Sequence, residues 1–338
     1  MEKLAAPWPG VVAVSGGGDS LALMHLLSEW AKRSRREPPV VLTVNHRLQP
    51  RSAANARRVV DWAKKAGLKA HVLTWTGARP RADIEAEARQ VRYALMGAWC
   101  RKRGIEALYV GHTRDDQAET FLLRLARGSG LDGLAAMRAV SPYPVEGFQG
   151  LRLVRPMIGL DRNELRAHLT ARGQEWFEDP MNSDPRFSRV RVRAAMDALT
   201  SAGLTSARIA DAAVHLGRAR EALDAVTAAV IRQSCRADGK AILVEAGALR
   251  AAPREVGLRV LAQILMKVGS QDYRPRFERL EALFDAIHAD HLGNGRTLHG
   301  CRIAPAPGSQ AYFGTDTLLI APEPARTASK TAQTRRKL

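Results

Sequence analysis

Cysteine is scarce in this chain: three in 338 residues, Cys100, Cys235 and Cys301, far apart and in neither a Cys-x-x-Cys pair nor a zinc spacing. That argues against a sulfur-transfer or iron–sulfur enzyme and leads us to expect a cytoplasmic protein with buried thiols. No apolar run approaches the ~20 residues of a membrane helix. No basic-then-apolar leader precedes the first apolar segment, so neither a membrane nor a secretory route is expected. Aromatic residues make up only 5%, so base stacking on an aromatic platform would have to be sparse. Carboxylates are also short: 34 Asp plus Glu against 52 Lys plus Arg, a net charge of +18. A codon bias toward Arg could explain Arg over Lys, but not the missing acids. A polyanionic partner follows, nucleic acid first.

The chain is 46% hydrophobic and long enough for two domains. Its most informative segment is Val11-Val-Ala-Val-Ser15-Gly16-Gly17-Gly18-Asp19-Ser20, which runs into Leu21-Ala-Leu-Met. A short apolar strand enters three glycines, and a helix opens behind them. Bare backbone N–H groups and a helix N-terminus make a cradle for phosphate or pyrophosphate. The loop has no lysine, so it is not Gly-x-x-x-x-Gly-Lys-Ser/Thr, and Asp19 breaks Gly-x-Gly-x-x-Gly. The plain alternative, a turn made of glycines, leaves Asp19 and Ser20 unexplained; a carboxylate and a hydroxyl are groups that hold Mg²⁺ beside a nucleotide.

Hydropathy patterning predicts strands at Val11–Val14, Val40–His46, Ala70–Thr76, Ala107–Gly111 and Leu151–Val154. Helices are predicted at Leu21–Arg33, Ser52–Ala66, Ile84–Arg103, Asp116–Ala126 and, capped by Asp161, up to Gly173. Such alternation implies an α/β fold with a parallel, doubly wound, Rossmann-like sheet covered on both faces. Ligands of such sheets bind at strand carboxyl ends, where the Ser15 loop, Asn45-His46 and Gly111-His112 fall. A long helix is expected from Ala207 to Arg232. The expected domains are 1–200, catalytic; 201–322, a connector helix with a smaller, mostly helical region; and 323–338, a disordered basic tail useful for phosphate contact at most.

A second constellation follows the fourth strand: Gly111-His112-Thr-Arg-Asp115-Asp116-Gln-Ala-Glu119-Thr120, then Arg124, Arg127-Gly-Ser-Gly-Leu-Asp132-Gly-Leu-Ala-Ala-Met137. Asp116, Glu119 and Thr120 share one helix face. Taken alone, an acidic first turn that caps a helix would account for them.

Together the two segments are specific. Ser-Gly-Gly-x-Asp-Ser after the first strand resembles the PP-loop ATP pyrophosphatase superfamily. The 112–137 segment resembles its tRNA(Ile)-lysidine synthetase branch, as do Ala86-Glu-Ala-Arg89 with Arg92-Tyr93, Val154-Arg-Pro-Met157 and Glu178-Asp-Pro-Met-Asn182 with Arg189-Val-Arg191-Val-Arg193. Departures are Thr113 where a second His is frequent, Met181 for Ser and Val190 for Asn. The likeness covers residues 10–195; beyond it, the connector helix and small domain expected at 201–322 are read as tRNA-binding.

That resemblance implies that ATP adenylates the C2 oxygen of the wobble cytidine in the CAU anticodon of tRNA(Ile). Free L-lysine then displaces AMP. It implies a pyrophosphate cradle of Gly16, Gly17 and Gly18 with the Ser15 and Ser20 hydroxyls, and Mg²⁺ on Asp19 and Asp116. Arg124 or Arg127 would meet developing charge. Asp115, Asp116, Glu119 and His112 all stand open as acceptor of the lysine proton. His46 could lie near the nucleotide or be structural. Arg186, Arg189, Arg191 and Arg193 are expected on the tRNA backbone, as a strand or as a helix, and a homodimer stays open. A thiolase would want placed cysteines and an amidotransferase a glutaminase domain. A non-enzymatic RNA-binding protein would have lost Asp19 or the loop glycines.

Overall fold

The computed structural model describes residues 1, 4–77, 84–178, 186 and 188–324. The chain divides into two compact units, Met1–Arg218 and Ala219–Leu338.

The first unit runs β1 (Val11–Ala13), α1 (Gly18–Arg33), β2 (Val40–Asn45), α2 (Ser52–Lys65), β3 (Ala70–Thr74), α3 (Ile84–Lys102), β4 (Ala107–Tyr109), α4 (Arg114–Leu125), α5 (Leu131–Leu134), β5 (Val140–Pro142), β6 (Arg152–Val154), α6 (Arg162–Ala171) and α7 (Ser188–Ser201). Its six-stranded sheet has the order β3-β2-β1-β4-β6-β5. All pairings are parallel except β5 with β6. The expected doubly wound sheet is present, with an antiparallel edge that the sequence pattern did not give. That edge strand is three residues long and ends in Pro142, which has no N–H for a further neighbour.

Adjacent residues of β1 feed opposite cores. Val12 packs with Leu21, Met24, Trp62 and Leu169, whereas Val11 packs with Leu42, Tyr93, Met96 and Leu108. A central parallel strand must be apolar on both faces, which is why Val-Val-Ala-Val does not alternate. Strand order reverses between β1 and β4, so the loops after these two strands flank the crevice where open α/β sheets bind ligands.

Both site helices start earlier than their apolar periodicity. Helix α1 begins at Gly18 and takes Asp19 and Ser20 into its first turn. Helix α4 begins at Arg114 because Thr113 caps it: the Thr113 hydroxyl faces the Asp116 N–H at 3.5 Å, and Asp116 Oδ2 accepts the Thr113 N–H at 2.8 Å. Asp161 caps α6 through the Asn163 N–H at 2.8 Å, as expected.

Helix α8 spans Ser206–Ser234, so the division at Arg218 falls inside a helix rather than at the composition change near residue 200. The second unit continues with β7 (Cys235–Asp238), β8 (Ala241–Glu245), α9 (Ala246–Ala251), α10 (Arg254–Val268), α11 (Phe277–His288), β9 (Arg296–Leu298), β10 (Cys301–Pro305) and β11 (Thr317–Pro322). Its sheet, β7-β8-β11-β10-β9, is antiparallel throughout. The strand expected at Ile242–Glu245 and the turn-rich strands after residue 289 are present, in a five-stranded sheet beside the helices. The core joins Val244, Ile303 and Ile320 to Val260, Leu261 and Leu265 of α10 and Leu283 and Phe284 of α11. The basic stretch 325–338 and the segment Asp179–Asn182 lie outside the described residues.

Candidate active site

The Ser15–Ser20 loop is knitted by its own hydroxyls. Ser20 Oγ donates to the Gly17 carbonyl at 2.8 Å and lies 3.2 Å from the Ser15 N–H, which it accepts. Ser15 Oγ accepts the Gly17 N–H at 3.4 Å. Gly17 is the N-cap of α1, and no side chain caps the helix there. The first-turn N–H groups therefore point at the crevice with the positive end of the helix dipole behind them.

Gly16 is required twice. Its φ is +92°, and a Cβ there would lie 2.4 Å from the Phe177 ring. The Phe177 N–H donates to the Gly16 carbonyl at 2.8 Å, so the segment after α6 folds back over the loop. From the other wall, a Cβ on Gly111 would lie 2.9 Å from the Asp19 carbonyl oxygen. Only a glycine lets the β4–α4 connection approach the phosphate loop this closely.

This approach brings Asp19 together with the carboxylates of α4, and one guanidinium joins them. Arg162, the first residue of α6, places Nε 3.2 Å from Asp19, Nη2 3.1 Å from Asp116 and Nη1 3.4 Å from Glu119. Its backbone N–H donates to Asp115 at 3.0 Å. Arg193 adds a two-pronged pair to Glu119 at 2.5 and 3.2 Å, and Arg189 stands 3.9 Å from Asp116. Glu119 and Asp116 are buried, and the Asp19 side chain is 26% exposed.

The electrostatics follow from that geometry. Burial, with the Asp116 charge added, raises the Asp19 carboxyl above its ordinary range despite Arg162. Burial also pushes Asp116 up, but Arg162 and the Thr113 N–H outweigh it and hold Asp116 below its ordinary value. Burial would lower Arg162, yet four carboxylates raise it. His112 is pushed down to about 4 by burial, against the pull of Asp116, and its Nδ1 has no hydrogen-bond partner. His46, also brought down to about 4 by burial and Arg92, likewise has an unpartnered Nδ1. Both rings are neutral at pH 7.

The structure thus gathers Ser15 to Ser20 with Asp115, Asp116 and Glu119. Other residues of the pattern do something else. Gln117 clasps both backbone groups of Met137, at 2.8 and 2.9 Å, and Arg124 donates to the carbonyls of Gly133 and Ala136 at 2.7 and 3.1 Å. Part of the segment that reads as chemistry is a brace for the loop after α4. Arg127 is exposed. Residues 189–193 are helical, which turns Arg189 and Arg193 onto the carboxylates, while Arg191 is exposed and bonds to the carbonyl of Arg186, also exposed. Sequence reasoning missed Arg162. Its only signal was its position just after the N-cap Asp161, at a strand's carboxyl-end connection. Among the described residues no group of three or more His, Cys, Asp or Glu could hold a metal ion. Asp19 and Asp116, both bonded to Arg162, are instead a pair of hard oxygen donors, which is what Mg²⁺ takes when phosphates fill its other positions.

Comparison with known proteins agrees. A family model described as a PP-loop domain matches residues 9–199. A tRNA(Ile)-lysidine synthase of Methylobacterium nodulans is 40% identical over 324 residues, covering 94% of this chain and 91% of the relative. One of Ruegeria pomeroyi is 38% identical over 300 residues, covering 86% and 70%, and one of Wolbachia pipientis 36% over 294 residues, covering 86% and 67%. With a phosphate loop and a carboxylate cluster on facing sides of one crevice, the chain belongs to the tRNA(Ile)-lysidine synthase family of PP-loop, ATP-using enzymes.

Proposed function

We propose that this chain joins L-lysine to C2 of the wobble cytidine in the CAU anticodon of tRNA(Ile), in the cytoplasm. One observation carries the reading: an uncapped helix N-terminus faces an acidic recess that already holds a guanidinium. The first suits a polyphosphate and the second a cationic amine.

The N–H groups of the Gly16–Gly18 loop and the first turn of α1 take the pyrophosphate half of ATP. The cytidine C2 oxygen attacks the α-phosphorus, the bond to the β-phosphate breaks, and the leaving charge meets preorganised N–H donors. Asp19 and Asp116 would hold Mg²⁺, which supplies charge neutralisation to the phosphates when bound. Lysine arrives as an ammonium and takes the place of the Arg162 guanidinium among the carboxylates. It must lose a proton before its nitrogen attacks C2 and AMP leaves. Asp116, held low by Arg162, and His112, pushed down to about 4 by burial, bind a proton too weakly to be good acceptors. The role falls to Asp115 or Glu119. Arg186 and Arg191, exposed, are assigned to tRNA phosphates, while Arg189 and Arg193 serve the carboxylate cluster.

The test is pyrophosphate release from ATP with lysine and tRNA, alongside the mass of the recovered tRNA. Release should require a CAU-anticodon tRNA, and that tRNA should gain one lysine. Asp19→Ala should abolish turnover and leave tRNA binding nearly intact. Release that needs no tRNA, or no release at all, refutes the reading.

A further inference from the structure

The second unit carries a groove that lysine transfer does not use. It lies between α11 and β9, has a volume of about 460 Å³, and is lined by Arg279, Leu283, Arg296, Leu298, His299 and Glu323. Neither Arg279 nor Arg296 has an ion pair among the described residues; Arg296 donates to the His291 carbonyl at 3.3 Å. The Nε2 of His299 is buried without a hydrogen-bond partner. His299 and Gly300 form the two-residue turn between β9 and β10, which sets their positive φ. Beside it, Tyr273 is 66% exposed, and its ring meets that of His299 in a T-shaped pair with centroids 5.0 Å apart. Large exposed aromatics are few in a chain with 5% aromatic residues.

We propose that this groove binds one unpaired nucleotide of an RNA chain. The base stacks on Tyr273, the flanking phosphates lie against Arg279 and Arg296, and His299 Nε2 bonds to the base edge. A bare anion would use the arginines, leave the aromatic face empty and meet repulsion from Glu323. For a base, Glu323 is an acceptor for an exocyclic amine, so cytosine should be preferred over uracil. The choice of RNA rests on the tRNA-modifying reading above.

Anisotropy titrations of the full chain with labelled rC4 and rU4 tetranucleotides test it, with 4-thiouridine crosslinking to locate the contact. Tyr273→Ala should weaken rC4 by about 5- to 150-fold, the range for loss of one stacked base, and Tyr273→Phe should retain binding. Arg279→Gln and Arg296→Gln should each flatten the slope of log affinity against log salt by about 0.7. Glu323→Gln should erase the preference for rC4 over rU4. Crosslinks confined to the first unit, or an rC4 affinity unchanged by Tyr273→Ala, would overturn the assignment. Free AMP competing for the crosslink as strongly as rC4 would also overturn it, in favour of a free-nucleotide site. Pyrophosphate release reads chemistry at Asp19 and Asp116, so failure here and failure of lysine transfer are separable.

Discussion

Among the described residues, Arg162 is the single cation shared by Asp19, Asp116 and Glu119, and replacing it with Gln isolates that role. Removing one partner of a buried ion pair typically costs about 3–5 kcal/mol, because the remaining charge stays desolvated. The surroundings set where in that range the cost falls. Glu119 keeps its two contacts to Arg193, and Asp116 keeps the Thr113 N–H at 2.8 Å and hydroxyl at 3.0 Å. Asp19 is reached by water, its side chain being 26% exposed. The expected loss is therefore at the lower end, about 3 kcal/mol. All six tryptophans lie between Trp8 and Trp176, so tryptophan fluorescence in a urea titration reports the first unit alone and avoids treating two units as one transition. A double-mutant cycle with Asp116→Asn separates charge from packing. Asn at position 116 removes one uncompensated carboxylate, so the double variant should recover about 1–2 kcal/mol relative to additivity. A loss under about 1 kcal/mol, or strict additivity in the cycle, would refute the view that Arg162 is there to neutralise the cluster.

Three further outcomes follow from other positions. Gly16→Ala puts a methyl group into the Phe177 ring at a φ of +92°, so a loss of more than about 2 kcal/mol is expected by the same fluorescence titration. Thr113→Ala removes the hydroxyl half of the cap on α4 while the backbone N–H keeps its bond to Asp116, and should cost about 1 kcal/mol; a smaller loss on Thr113→Ser would match the retained hydroxyl. His46 is lowered to about 4 from an ordinary 6.5. The unfolded chain therefore binds its proton first, and the stability held by the neutral ring is complete above pH 6.5 and lost as pH falls toward 4. His46→Gln should flatten the fall in stability between pH 6.5 and 4, an effect visible in melting temperatures across that range, and an unchanged pH profile would show the ring to be protonated in the fold.

The sheet and the phosphate loop were legible because their signals are local. An apolar run into three glycines and Asp19 fixes a strand, a turn and a helix start within ten residues. The helix beginning at Arg114 was read two residues late because apolar periodicity starts after the cap, and Thr113 is not an obvious cap when a neighbouring carboxylate looks catalytic. Arg124 looked chemical for the same reason: a polar side chain spent on a carbonyl has the same letter as one aimed at a substrate. Arg162 could not be found by spacing. Nothing along the chain ties it to Asp19, 143 residues earlier; the link exists only once β1, β4 and β6 lie side by side. The Arg189 and Arg193 pairs to α4 are hidden likewise, since a helix from 188 to 201 turns them inward where alternating Arg-Val reads equally as a strand.

The distances along the chain within the carboxylate cluster bear on how the protein is made. The acids are supplied early, at 19 and 115–119, and their counter-charges late, at 162 and 193. A growing chain emerges from the ribosome N-terminus first, at about 5–20 residues per second. For several seconds at that rate, the strands that seat Asp19 and Asp116 exist without Arg162 and Arg193. During that interval the closed crevice is electrostatically unfavourable, and the nascent sheet must stay open or draw on outside cations. The enzyme's recess therefore completes itself only when the last of its arginines has been synthesised, and a fragment ending before residue 162 would carry the phosphate loop and the 112–137 segment without the pocket.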